Sequence, residues 1–401
     1  MEWKKYYDVC DLIRGITYNK NQEAKTEKED AYKVLRANNI TLYLNTLNFD
    51  DVKLVSKDVV VKPEQHLYAG DILMCAGSGS KEHVGKVAYI FQNMDYTFGG
   101  FMAVVRCKED VIPRYMFHIL ASHYFTSHLE TQINSSTINN INRQVMQSFA
   151  FPVPPLPVQE EIVRILDAFT ELQAELQAEL QKRKQQYNYY RDNLLSFEGR
   201  TDVQWKKLGK IASITTGRRF VRTDIRESGV PCFHYGDIYT YYGLTANKTK
   251  GYLDDELAKK LRFAQPNDVV VVCAGENDMD IGVGVAWLGD EPAVVHDACC
   301  ILHHNQSSRY ISHFLRTHNY HLQMKKYVKN GKISSLPASG LAEALIPLPS
   351  LEEQERIASI LDRFDTLTND LTAGLPAEIE KRRQQYEYYR DKLLTFKRKE
   401  A

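Results

Sequence analysis

No stretch of this 401-residue chain approaches about 18 uninterrupted apolar side chains, so nothing in it reads as a membrane-spanning helix. The opening MEWKKYYDVCD has no basic, apolar, cleavable leader, and the expected compartment is the cytoplasm. C-x-x-C is missing too. The cysteines, Cys10, Cys75, Cys107, Cys232, Cys273, Cys299 and Cys300, are odd in number and scattered, which argues against a disulfide framework and a zinc site and leaves buried reduced thiols. Charge of one sign is absent as well, since 51 Lys and Arg stand against 51 Asp and Glu.

Catalytic signatures are also lacking. The nearest approach to a phosphate loop is GSGSKEHVGK, but Gly79 and Gly85 are one residue too far apart and Lys86 is followed by Val87 instead of Ser or Thr. There is no N-P-P-[YF], no H-E-x-x-H and no paired acidic and lysine cluster of nuclease type. His118, His123 and His128 recur every five residues, which spreads them around a helix, and His303 and His304 face opposite ways on a strand. We therefore expect no metal, no cofactor and no catalytic residue in this chain.

What is present is a long duplication. KRKQQYNYYRDNLLSF at 182 to 197 returns as KRRQQYEYYRDKLLTF at 381 to 396, identical at twelve of sixteen positions. Upstream of each copy lies a second matched block, FPVPPLPVQEEIVRILDAFTEL from Phe151 and IPLPSLEEQERIASILDRFDTL from Ile346, which share eleven of twenty-two. A repeat of this length is no short-period solenoid but two large units, each a globular segment followed by a long helix.

In the first copy Ile162, Leu166, Phe169, Gln173, Leu176, Leu180, Arg183, Tyr187, Tyr190, Leu194 and Phe197 follow 4-3 spacing, the seam of a coiled coil broken only at Gln173 and Arg183. Pro157, Glu160 and Glu161 suit a first turn, which predicts a helix over about 158 to 197. The second copy offers a matching stripe through Ile357, Leu361, Phe364, Leu371, Leu375, Tyr386, Tyr389, Leu393 and Phe396. Pairing within the chain is expected from effective concentration, with pairing to another molecule as the alternative. Gly374 and Pro376 interrupt this second helix. The repeat offset is 195 residues at Phe169 and Phe364 but 199 at Tyr187 and Tyr386, so the second helix carries four extra residues where those breakers fall.

The expected architecture is mixed α/β (α+β): two similar domains at 1–155 and 201–350, and spacer helices at 156–200 and 351–401 pairing as an antiparallel coiled coil with an approximate two-fold. In the first domain strand-like runs cover Thr41 to Leu44, Lys53 to Val55, Val59 to Val61, Asp71 to Cys75, Val84 to Ile90 and Met102 to Arg106, followed by a helix from Arg114 to Thr126. Landmarks recur in the second. Trp3-Lys4-Lys5 answers Trp205-Lys206-Lys207, Gly15 answers Gly217, Cys75-Ala76-Gly77 answers Cys273-Ala274-Gly275, and Arg114-Tyr115 answers Arg309-Tyr310. The polar loops between them differ, as two binding surfaces for two targets would.

The order globular unit, helix, globular unit, helix, with P-L-P before Q-E and I-x-x-I-L-D-x-F opening each helix, resembles the DNA-specificity subunit of type I restriction-modification systems over essentially the whole chain. The helix-opening pattern falls on Pro154, Leu156, Gln159, Ile162, Leu166 and Asp167, and again on Pro349, Leu351, Gln354, Ile357, Leu361 and Asp362; the isoleucine ending each globular unit falls on Ile138 and Ile333. The resemblance implies two target recognition domains, each reading one half of a split sequence in double-stranded DNA. It also implies two methyltransferase subunits docked on the helices, with a motor and nuclease subunit as a further partner. S-adenosylmethionine and ATP with magnesium would then be bound by the partners alone.

Regional charge bears on that reading. Lys plus Arg against Asp plus Glu is 17 to 17 over residues 1 to 155 and 18 to 15 over 201 to 350, so the chain alone should hold DNA weakly and partners supply the missing charge. Base readout needs Arg, Asn, Gln and similar polar side chains. The candidates are Arg36, Asn38, Asn39, Ser78, Ser80 and Lys81 in the first unit and Arg218, Arg219, His234, Tyr235, Asn247, Lys248, Glu276 and Asn277 in the second; solvated loop residues are the alternative, and Asn38-Asn39 also suits a turn. Tyr189, Arg191, Tyr388 and Arg390 lie off the seam and are candidates for subunit docking, against a solvated face. Two other readings stay open from the residues: an enzyme with its own nuclease or methyltransferase site, and a coiled-coil structural protein with no nucleic-acid role.

Overall fold

Each globular segment begins with a strand that pairs with its own exit: Glu2–Lys5 runs antiparallel to Ala150–Val153, and Gln204–Lys207 to Leu345–Leu348. The extended Pro-rich exit thus closes each unit before the long helix starts, at Leu156 and at Leu351. The computed structural model describes residues 2–24, 30–42, 44–132, 139–275, 281–329, 331, 333–370 and 372–396. Contacts divide the chain into one unit of Met1–Glu175 with Glu380–Ala401 and another of Leu176–Ile379. Among the described residues no helix is long and apolar enough to cross a membrane.

Among its described residues the first unit holds two four-stranded sheets. One has the order Cys10–Arg14, Met102–Cys107, Ile72–Cys75, Val87–Tyr89, all antiparallel. The other runs Lys53–Ser56, Ala31–Leu35, Met94–Phe98, His66–Leu67, with its middle pair parallel. The second unit repeats both. Ala212–Thr216, Cys299–His304, Val269–Val272 and Gly284–Trp287 form the antiparallel sheet, extended by Thr245–Ala246; Gly251–Leu253, Val230–Phe233, Ala293–Val295 and Phe263–Ala264 form the other, again with a parallel middle pair.

The central strands Ile72–Cys75 and Val269–Val272 are apolar throughout because they are buried on both faces. Side chains alternate across a strand. Ile72 and Met74 therefore join a core shared with Ile162, Leu166 and Tyr386 of the spacer helices, while Leu73 and Cys75 join a core beneath the second sheet. Val269 and Val271, against Val270 and Val272, divide in the same way.

Several sequence expectations need correction. Thr41 to Leu44, of which Tyr43 lies outside the described residues, is no strand: Thr41 Oγ1 accepts from Thr46 N at 3.0 Å and closes a loop. Val59 to Val61 is not one either, since Val59 N bonds back to Ser56 O in a turn and Val60 is exposed. The run Val84 to Ile90 shortens to Val87–Tyr89 because Gly85 turns the chain at φ +85°. The helix expected over Arg114 to Thr126 is two, Pro113–Leu120 and His123–Gln132, parted where Ser122 Oγ donates to Ile119 O.

The long helix is Leu156–Leu194. Its counterpart is interrupted: Leu351–Asn369 stops, Asp370 Oδ1 accepts from Thr372 N and Ala373 N, and the helix resumes as Leu375–Leu394. A Cβ on Gly374 would collide with the carbonyl oxygens of Thr366 and Leu367, so only glycine fits this bend. The helices pair antiparallel: Phe169 stacks on Tyr389 at 5.4 Å, and further along the first helix Tyr187 and Tyr190 stack on Phe364.

Candidate functional site

In each unit the two parallel strands end side by side, with Leu35 opposite Phe98 and Phe233 opposite Val295. Gly15 and Gly217 pass directly across those ends. A Cβ on Gly15 would meet the carbonyl oxygens of Phe98 and Gly99, and one on Gly217 those of Val295 and His296. That equivalence makes Arg36 answer His234, Gly99 answer His296 and Gly100 answer Asp297. It also corrects one landmark. Cys75 faces Met102 while Val272 faces Cys299, and Ile141 N bonds Ala76 O where Leu336 N bonds Cys273 O. Ala76, not Cys75, is thus the equivalent of Cys273, and the shared Cys-Ala-Gly is out of register by one.

A cleft opens at this place in both units. In the first, a space of about 1000 Å³ is lined by Gly77, Gly79, Gly99 and Gly100, with Arg36, Asn38 and Ser78 on its walls and Phe101, 64% exposed, at its rim. Asp51 Oδ2 accepts from both Arg36 Nη2 (2.7 Å) and Asn38 Nδ2 (3.0 Å), which fixes those two side chains together. Arg36 Nε is buried and has no partner among the described residues. Asn39 departs from expectation: it is fully buried, its Oδ1 accepting from Arg36 N and its Nδ2 donating to Asn48 O and Asp51 O, so it is an internal clip of the turn and cannot reach a ligand. Ser78 Oγ accepts from Ser80 N, and Ser80 Oγ donates to Glu82. Of Lys81 only the backbone is described.

The second cleft, about 350 Å³, is lined by Arg219, Arg222, His234, Tyr235, His296 and Asp297 among others. The rings of His234 and His296 lie 4.9 Å apart, with Tyr235 against both. Burial holds both imidazoles below their ordinary pKa, and for His234 the neighbouring His296 adds to the effect. Arg218 is turned away, donating to Lys260 O. Asn247 and Lys248 are exposed beside the edge strand Thr245–Ala246 and do not line the cleft. Ile333 does, and is exposed. Glu276, Asn277 and Ile138 lie outside the described residues. Among the described residues no three His, Cys, Asp or Glu gather so as to hold a metal ion.

Behind each cleft the domain is fastened to the helices by the same set of bonds. Gln159, fully buried, accepts from Ile112 N and donates to Pro154 O and Asp110 O; Gln354 accepts from Ser307 N and donates to Pro349 O and Gln306. Tyr115 Oη donates to Pro152 O and Tyr310 Oη to Pro347 O. Arg114 and His118 bind Asp167, as Arg309 and His313 bind Asp362. Asp391 and Asp192 of the duplicated helix block accept from His123 N and His318 N. The duplicated Q-E and L-D positions were visible in the sequence, but nothing there paired them with His118 or His313, which stand on other elements. Of the docking candidates, Tyr189 and Tyr388 are exposed (65% and 61%), whereas Arg191 and Arg390 lie largely buried over the rings of Tyr187 and Tyr386.

The family described as type I restriction modification DNA specificity domain matches residues 1–183 and again 201–381. A putative type I restriction enzyme specificity subunit from Haemophilus influenzae is 29% identical over 99% of this chain and 96% of its own length. The EcoR124I/EcoR124II specificity subunit from Escherichia coli is 38% identical over a stretch covering 62% of each chain. Among solved structures, a chain from a study of complex assembly and conformational transition of the type I R-M system covers 98% of this chain and 97% of its own, with TM-score 0.63 and 15% identity. The S subunit from M. genitalium gives TM-score 0.53 and 14% identity over 99% and 96%.

Proposed function

The chain belongs to the type I restriction-modification DNA specificity family, with two copies of its domain, and from that premise we propose that it is the sequence-reading, non-catalytic subunit of such a complex in the cytoplasm. Each unit reads one half of a split duplex site through its cleft. The paired helices set the separation of the halves and dock two methyltransferase subunits, with Tyr189 and Tyr388 as exposed anchors on the duplicated block. S-adenosylmethionine, and ATP with magnesium where a motor subunit joins, belong to the partners.

One observation carries this reading: two clefts at the same topological place on a duplicated scaffold are lined by different side chains, glycines with Arg36 and Asn38 in one and histidines with Arg219 in the other. A scaffold kept and a lining changed is what two separate base sequences require. A net charge of zero fits a subunit that relies on partners for phosphate contacts. The test is to co-produce the chain with methyltransferase subunits of a type I system and map methylated bases in host DNA. The expected result is a single bipartite motif that disappears without this chain. Methylation of the same motif by the chain alone would make it an enzyme, and absence of any sequence-selective DNA protection by the assembled complex would leave a structural coiled coil.

A further inference from the structure

The residue that follows the inner parallel strand, Arg36 in the first unit and His234 in the second, occupies one position in two clefts. Its surroundings differ in a way that dictates what it can present. In the first unit the facing position is Gly99, and the Arg36 side chain runs over it: Arg36 Cγ is 3.9 Å from where a Cβ on Gly99 would stand. A Cβ there would only touch that side chain, whereas a larger group such as an imidazole would compete with it for the cleft. One nitrogen of the guanidinium, Nη2, is committed to Asp51 at 2.7 Å, which sets the plane, while Nε is buried and has no partner among the described residues. A guanidinium carries five N–H donors, so some remain for a ligand beyond the one given to Asp51 and the one on the buried Nε. In the second unit His296 fills the facing position and packs its ring on His234 at 4.9 Å.

His234 is also fixed in its proton arrangement. Its Nδ1 lies 3.3 Å from the backbone nitrogen of Gly236, which can only donate, so Nδ1 accepts and the ring proton sits on Nε2. His234 therefore presents one N–H donor and no acceptor.

We propose that Arg36 and His234 are the principal specificity-determining residues of the two half-sites, Arg36 presenting a guanidinium edge to a paired acceptor such as guanine O6 and N7, and His234 a single Nε2–H donor to one acceptor on a base edge. This rests on the DNA-reading role proposed above. The facing residue, Gly99 or His296, is a positioning residue that selects which reader the cleft can carry.

The experiment uses the complete complex with its methyltransferase subunits and maps the methylated motif for Arg36→Gln, His234→Phe and Gly99→His. Arg36→Gln should relax or change one base position of one half-site, with discrimination there falling roughly ten- to a hundredfold. His234→Phe should do the same at one position of the other half, and Gly99→His should reproduce the Arg36→Gln pattern by crowding the guanidinium. Should a variant methylate nothing, its purified complex is titrated against duplexes carrying each base pair at each position of the motif: a preference flattened at one position supports the assignment, and the wild-type order of preference overturns it. Motifs unchanged in all three variants would also overturn it. A wild-type complex with no defined motif would count against the DNA-reading role itself, a separate failure.

Discussion

The Nε2 of His118 lies 2.8 Å from Asp167 Oδ1, joining a helix of the first domain to the long helix that leaves it. Its Nδ1 lies 3.0 Å from the hydroxyl of Tyr386, so the neutral ring donates to the carboxylate and accepts from the phenol. In the second unit His313 meets Asp362 at 2.9 Å and Tyr187 at 3.2 Å. Burial alone would raise the Asp167 carboxyl, but His118 and Arg114 hold it below its ordinary value. The duplicated helices are thereby seated on their domains by polar bonds of fixed geometry as well as by apolar contact.

Acid should loosen this seat. Burial pushes His118 down from 6.5 to about 4, against the pull of Asp167, and His313 is lowered for the same reason. Below pH 6.5 an unfolded chain takes up a proton that the folded His118 refuses, so stability is whole above that value and falls as pH drops toward 4, by on the order of 3 kcal/mol for this residue. Thermal melts from pH 7.5 to 4.5 should decline, and His118→Gln should flatten the slope. A slope unchanged in the variant would refute the assignment.

Gln159→Ala should cost about 2 to 3 kcal/mol in urea unfolding, because it leaves the Ile112 N–H and the buried carbonyl of Pro154 without their partners. Gln354→Ala should cost about the same, through Ser307 N and Pro349 O. A loss under about 0.5 kcal/mol in either would show that the amide is not the fastening it resembles.

DNA binding by the isolated chain should be weak and steeply dependent on salt, and should strengthen when methyltransferase subunits are added, since this chain has no net positive charge. Fluorescence anisotropy across a salt series measures it. Tight, selective binding by the chain alone would contradict the division of labour.

The stretch ELQAELQAEL, 171 to 180, lies wholly within Leu156–Leu194. Inserting one further ELQA after Ala178 adds about 6 Å of helix, against about 3.4 Å per base pair. The unread gap between half-sites should lengthen by one or two base pairs while both half-site sequences persist. An unchanged gap in the methylated motif would show that this helix is not the ruler.

The repeat was legible because selection for a helix seam leaves a spacing that survives divergence, as Ile162, Leu166 and Tyr187 show; all three are buried. The clefts were half legible. Arg36 and His234 stood out as polar residues in unlike loops, but Asn39 looked the same and is a buried clip, since orientation at a turn depends on Asn48 and Asp51 further along the chain. Gly99 and His296 were missed because a facing position belongs to the pairing of strands far apart in sequence. The Cys-Ala-Gly match misled by one residue, which only the strand register could reveal.

Independent reading by the two units is tested most directly by exchanging residues 1 to 150 for the matching segment of a relative with a different motif, then mapping methylated bases genome-wide in cells that carry the methyltransferase subunits. The expected result is one half-site replaced by the relative's, with the other half and the gap retained. Both halves altered together would contradict the account.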